Sequence, residues 1–261
     1  MRTPTRLSER TVVLTGAASG IGRATAARLA AEGAAVLACD VVADALDDAV
    51  EAALAAAAGT GAGGSAVAHP LDVSDPEAAA GAVAEAVGRW GRLDGLVNAA
   101  GILRTARAHE SDLDTWNRIL AVNATGTFLL CRAALPHLVT TRGAIVNFAS
   151  TSAHFGHPWM AAYAASKGAI ASLSQTLAVE YALDGVRVNC VAPGSVHSGI
   201  TGSVEFPADL SKAESRLVRR IMSPTGFGQP DDVAGVIAML LSDDGRHITG
   251  ETIRIDGGTH A

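Results

Sequence analysis

The chain has 261 residues, of which 49% are hydrophobic and only 4% aromatic, a length that suits one well-buried α/β domain and is short for two. Its net charge of −6 comes without any block of like charge, and Arg219-Arg220 is the nearest approach to a basic cluster. That balance argues against nucleic acid and anionic membranes as partners.

The first predicted strand is the apolar run Val12-Val13-Leu14, followed by Thr15-Gly16-Ala17-Ala18-Ser19-Gly20-Ile21-Gly22 and a helical segment from Arg23 to Ala31. A strand that turns into a helix through several glycines offers backbone N–H groups and a helix N-terminus to a pyrophosphate. The spacing is G-x-x-x-G-x-G, with Gly16 turning off the strand, Gly20 admitting a phosphate and Gly22 letting the helix sit on the sheet. A merely connecting glycine loop is the plainer alternative, and the strand-turn-helix context weighs against it.

Ala34 to Ala38 is the second strand, ending at Cys39-Asp40. An acidic residue about 20 residues beyond a glycine turn can hydrogen-bond both ribose hydroxyls of an adenosine. Asp40 would also repel a 2′-phosphate, and neither Arg nor Lys lies among residues 17 to 21 or beside Asp40, so NAD is expected over NADP. A helix is expected over residues 44 to 58, a small-residue connector over 59 to 64 and a third strand over 66 to 69. Leu71-Asp72-Val73 precedes a helix start at Ser74-Asp75-Pro76. Asp72 can accept from an adenine amino group or serve as a turn residue.

The fourth strand, Leu93 to Val97, runs into Asn98-Ala99-Ala100-Gly101, where small residues leave a floor for a flat group and Asn98 can tie neighbouring strands. A long helix is predicted from Asp112 to Leu138, broken near Pro136. Asn123 in its middle signals a kink or a polar task. A strand over 143 to 149 ends at Ser150; after a turn at 154 to 158, a helix carries Tyr163 and Lys167 one turn apart on one face. A strand over 187 to 191 leads to Pro193-Gly194. From 195 to 228 the pattern loosens, with Leu210, Leu217 and Ile221 on one possible helical stripe. A helix over 230 to 241 and a strand over 252 to 255 complete the chain.

Cys39, Cys131 and Cys190 are odd in number, lie far apart and form no C-x-x-C, so they read as core residues in a reducing compartment. The eight histidines show no H-E-x-x-H pair, and no metal is expected. No uninterrupted apolar run approaches the roughly 20 residues of a spanning helix, and residues 1 to 10 leave no room for a removable presequence before the first strand. A cytoplasmic location is the resulting expectation.

Alternating strands and helices place Gly16, Asn98, Ser150 and Pro193 along one edge of a parallel sheet, where α/β ligands bind. Thr15-Gly16-x-x-x-Gly20-x-Gly22, Asn98-Ala-Ala-Gly101, Asn123, Ser150, Tyr163-x-x-x-Lys167 and Pro193-Gly194, in that order, resemble the short-chain dehydrogenase/reductase family over essentially the whole chain. The resemblance implies a single Rossmann-type, doubly wound parallel sheet of about seven strands spanning 1–261, with helices on both faces and a mobile substrate lid at about 198–226. It implies a nicotinamide cofactor held by Gly16, Ser19, Gly20, Ile21, Gly22, Asp40, Asp72, Val73, Asn98, Ala99, Ala100, Gly101, Tyr163, Lys167, Pro193, Gly194, Val196 and Ser198. Asn123, Ser150, Tyr163 and Lys167 would be catalytic, and a homotetramer is the usual assembly.

A phenol titrates near ~10, and an ammonium one turn away would favour its phenolate. Tyr163 is thus the expected acid/base, Lys167 its activator and Ser150 the group that holds the substrate oxygen. By the resemblance, Asn123 would hold a relay water. The segment from Ala100 to Arg104 and that from Ala149 to Lys167 are similar to those of 2,3-dihydro-2,3-dihydroxybenzoate dehydrogenases, which implies oxidation of a cyclohexadiene diol. Ser150, Ser152, Arg104, His157, Trp159 and Met160 would then face the substrate, with Arg104 or His157 as the partner of a ring carboxylate. Trp159, Met160, Val204 and Phe206 would form an apolar wall, with Trp159 as an ordinary core residue the alternative. A ketone or 3-oxoacyl reductase, and a non-catalytic NAD-sensing protein, are the competing functions.

Overall fold

Val12 and Leu14 belong to one buried cluster and Val13 to another, because successive side chains of a strand point to opposite faces. The same alternation puts Val36 and Ala38 on one side and Leu37 and Cys39 on the other. Both faces are therefore apolar, and both are covered, as parallel sheets require. Each fully buried Leu or Val stabilises the fold by about 1.5–3 kcal/mol before the entropy of ordering is set against it.

The computed structural model describes residues 5–202 and 204–261; residues 1–4 of the predicted leading segment and Ser203 of the predicted lid lie outside the described residues. Seven strands, β1 (Thr11–Thr15), β2 (Ala35–Asp40), β3 (Ser65–Pro70), β4 (Gly95–Asn98), β5 (Ala144–Phe148), β6 (Arg187–Pro193) and β7 (Thr252–Ile255), form one sheet in the order 3-2-1-4-5-6-7. Every pair is parallel. Helices α1 (Gly20–Ala31), α2 (Ala43–Thr60) and α9 (Pro230–Leu241) pack together on one face. On the other lie α3 (Pro76–Trp90), α4 (Leu113–Leu120), α5 (Gly126–Thr141) and α6 (Ala161–Glu180). The strand order reverses between β1 and β4, and that reversal opens a crevice beyond their carboxyl ends.

Two expectations need correction. The long helix does not break at Pro136, which sits inside α5. Pro136 and Arg132 are both exposed, so the carbonyl that loses its helical partner faces water. The irregularity falls at Asn123, where α4 joins α5 through a π-helical turn, Ala121–Thr125. Neither does the stripe of Leu210, Leu217 and Ile221 form one helix. The region holds two short helices, α7 (Gly199–Gly202) and α8 (Lys212–Arg219), the latter begun by a Ser211/Glu214 capping box. The run Leu113–Thr141 is long and apolar enough to cross a membrane by composition, but Ile119, Leu130 and Leu138 place it in the core.

Candidate active site

The glycine turn is fixed by close contacts. A Cβ on Gly16, whose φ is +71°, would lie 2.7 Å from the Ala100 nitrogen, and one on Gly22 would lie 1.9 Å from the Gly16 carbonyl oxygen. Helix α1 already begins at Gly20, inside the turn, with Ser19 at its N-cap and no side-chain cap bond. Its first N–H groups thus remain available to an anion. Gly16, Ser19, Gly20, Ile21, Gly22, Ala99, Ala100 and Gly101 line one cleft of about 240 Å³.

Asp40, Asp72 and Val73 line the far end of that cleft. The Asp40 carboxylate accepts from the Ala18 N–H at 3.0 Å and from the Val42 N–H at 3.1 Å, which ties the end of β2 to the glycine turn. Asp72 accepts from the Ser74 backbone and hydroxyl at 2.9 and 2.6 Å and from Arg118 at 3.3 Å; the Ser74 bonds are the chief reason its carboxyl lies below the usual range. Arg118 is the one cation on the described lining of this cleft, and Asp72 holds it. A small-residue cradle, a helix N-terminus without a side-chain cap and a carboxylate on the same cleft fit a dinucleotide.

Beneath the cleft, Asn98 is buried and donates to the Asn147 side chain at 2.8 Å, joining β4 to β5. Asn123 works in the same structural way. Its Oδ1 accepts from the Ile102 N–H at 2.8 Å, and its Nδ2 donates to the Ile102 carbonyl and to the Ser166 hydroxyl, each at 3.0 Å. The π turn places this amide between the loop after β4 and helix α6.

Ser150, Tyr163 and Lys167 line a second cavity of about 290 Å³, together with Pro193, Gly194, Val196 and Ser198. Lys167 donates to the Phe148 carbonyl at 2.7 Å, with Nζ 5.6 Å from the centre of the Tyr163 ring. Burial pushes Tyr163 up to about 12, and its hydrogen bond with Ser150 opposes that rise. Burial also pulls Lys167 down to about 8. The Ser150 hydroxyl in turn accepts from the Ser152 N–H at 3.2 Å.

Of the other predicted substrate residues, His157 and Met160 line this cavity. Arg104 is exposed, bonds the neighbouring Leu103 carbonyl and lies with Trp159 along a separate depression. The Trp159 indole meets Phe206 edge-on with centroids 5.7 Å apart. Ser152 is buried below the floor, its hydroxyl without a hydrogen-bond partner among the described residues. His157 is pushed down to about 4 by burial and by the neighbouring His260, so its imidazole is uncharged at neutral pH. Lys167, committed to Phe148, is the one cationic side chain on the described lining.

A model of the family described as enoyl-(acyl carrier protein) reductase matches residues 16–260. The chain belongs to the short-chain dehydrogenase/reductase family. It is 40% identical over 258 residues to 2-(S)-hydroxypropyl-CoM dehydrogenase 3 of Xanthobacter autotrophicus, covering 98% of each chain. It is 37% identical to a 2,5-dichloro-2,5-cyclohexadiene-1,4-diol dehydrogenase of Sphingobium indicum, covering 97% of each. A crystal structure of a dehydrogenase/reductase from Sinorhizobium meliloti superposes with a TM-score of 0.86 at 36% identity, covering 100% of this chain and 99% of that one.

Several lining residues of this short-chain dehydrogenase/reductase escape sequence reasoning. Arg118 reaches the cleft from α4, Val122 reaches it from the π turn, and Thr151 follows Ser150 into the cavity. Thr151 alone carried a local signal, as the neighbour of a strand-end serine. The others arrive through tertiary packing.

Proposed function

We propose that this protein is an NAD-dependent dehydrogenase that oxidises an uncharged secondary alcohol or ring diol. One observation carries the reading: the cleft and the cavity adjoin through shared walls of Ile21, Ala99, Phe148, Ser198 and Ile200, with Tyr163 and Ser150 on the far side. A dinucleotide lying along the cleft would bring its nicotinamide end to that shared wall. When bound, the nicotinamide supplies the hydride acceptor.

Ser150 and Tyr163 would bracket the substrate hydroxyl, and Tyr163 would take its proton while the adjacent carbon gives up hydride. Lys167 would hold the ribose and favour the phenolate. Asn123 would act chiefly through position, by fixing the loop after β4 against α6. The segment 198–226 would be the lid, since Val204, Phe206, Val218, Ile221 and Met222 all face the cavity. Asp40 supports NAD because a 2′-phosphate would meet a carboxylate there. An apolar lining without a free cation supports an uncharged substrate, and the dihydrodiol and hydroxypropyl relatives support alcohol oxidation. A homotetramer through α5, α6 and β7 would cover Phe128 and Val179, which are 44% and 80% exposed.

Fluorescence titration with NADH and NADPH, followed by absorbance of reduced nicotinamide with a panel of ring diols and secondary alcohols, tests the reading. Tighter NADH binding and a diol-dependent signal are expected. A preference for NADPH, with turnover only of ketones or acyl thioesters, would put a biosynthetic reductase in its place.

A further inference from the structure

We infer that His157 is a second polar anchor in the substrate cavity, whose Nδ1 hydrogen-bonds a second oxygen of the substrate and so selects diols or hydroxyketones over the matching mono-alcohols. The inference rests on the alcohol dehydrogenase reading above and names the feature by which that site sorts its substrates. Most polar side chains on the cavity wall are already committed. Lys167 bonds the Phe148 carbonyl, Ser195 the Ile221 carbonyl at 3.4 Å, and Thr201 the Val196 carbonyl at 2.7 Å, with Ser198 on the same Thr201 hydroxyl at 3.1 Å. Thr151 meets Nε2 of His157 at 3.3 Å. Beyond Ser150 and Tyr163, which would hold the reacting hydroxyl, Nδ1 of His157 is a nitrogen on the described cavity lining that has no hydrogen bond to a described residue.

The ring is also preorganised. Thr151 fixes one edge, and His260 lies 5.8 Å away, itself stacked on Phe155 at 4.0 Å. An anchor held in place costs little ordering when a ligand arrives. Its lack of charge suits a hydroxyl or carbonyl and gives a carboxylate no ion pair. His157 shares the cavity lining with Leu103, Met160 and Val204, so a substrate lacking the second oxygen would offer Nδ1 no polar partner there, and such mismatches discriminate between substrates.

The test uses cis-1,2-cyclohexanediol and cyclohexanol with wild type, His157→Phe and His157→Gln. The ratio of kcat/KM, diol over mono-alcohol, is expected to exceed ten in wild type, to fall at least tenfold in His157→Phe and to recover in part in His157→Gln, whose amide restores a polar atom. Binding of both compounds to the NADH complex is measured in parallel by calorimetry. If neither compound turns over but the diol still binds better and loses that advantage in His157→Phe, the dehydrogenase reading fails and the anchor stands. An equal ratio in wild type and His157→Phe, or no binding preference in wild type, overturns the anchor.

Discussion

Lys167 Nζ lies 5.6 Å from the centre of the Tyr163 ring and is hydrogen-bonded to the Phe148 carbonyl at 2.7 Å. The ammonium is held beside the phenol from the adjacent turn of α6 and from the end of β5 together, so its place does not depend on the tyrosine. The protein alone disfavours charge on both groups, since burial raises Tyr163 to about 12 and lowers Lys167 to about 8. Oxidation needs the phenolate, so kcat/KM is expected to rise with pH toward a plateau below pH 12. In Lys167→Met the apparent pKa should move up by more than one unit; an unchanged profile would remove Lys167 from its activating role. Tyr163→Phe should cut kcat roughly a thousandfold and leave the NADH Kd within about twofold.

The same lysine has a stability consequence. Its folded value of about 8 lies below the ordinary 10.5, so between these values the unfolded chain binds more protons than the native one. Native stability is thereby favoured as pH rises through that window, and the burial penalty is fully present below it. The difference in unfolding free energy, wild type minus Lys167→Met, should grow by up to about 3 kcal/mol between pH 8 and 10.5. Urea titrations at several pH values would read it, and a flat difference would mean that the buried amine is already solvated.

Asp40 accepts from the Ala18 N–H and stands on the cleft wall, so its charge and its hydrogen bond can be separated by substitution. Asp40→Asn keeps an acceptor for the glycine turn and removes the charge. The preference for NADH over NADPH should narrow about tenfold, or ~1.4 kcal/mol, with little loss of NADH affinity. Equal preference in variant and wild type would mean that the carboxylate does not read the ribose.

What was legible in the sequence was chiefly what the backbone dictates locally. The glycine spacing after Leu14, the Asp75-Pro76 start of α3 and the Tyr163/Lys167 pair each carry their geometry within a few residues. Asn123 marked itself as odd, yet the π turn follows from partners 21 and 43 positions away, Ile102 and Ser166. Pro136 misled because its cost depends on whether the freed carbonyl meets water, which exposure decides. The support of His157 by His260 joins residues near opposite ends of the second half of the chain, and no periodicity announces it.

Asn123 deserves its own variant because its amide serves three partners. Asn123→Ala would leave the Ile102 N–H and carbonyl and the Ser166 hydroxyl each short of one bond. A loss of about 2 kcal/mol or more in urea unfolding, at constant m, is expected. A change under about 0.5 kcal/mol would show that water replaces the amide without cost.

The two inner glycines of the turn should fail in different ways. A methyl group on Gly22 would fall 1.9 Å from the Gly16 carbonyl oxygen, a backbone atom between β1 and α1, so relief requires the helix to move off the sheet. Gly22→Ala should therefore lose folded protein. A methyl group on Gly20 would fall 2.9 Å from the Ser198 Cβ, in the segment after β6, and φ there is +50°. The segment can yield where the sheet cannot, and Gly20→Ala should stay folded while losing NADH affinity by tenfold or more. Thermal unfolding and NADH titration on both variants separate the cases. A folded Gly22→Ala with normal NADH affinity would show that α1 does not need its close seat on the sheet.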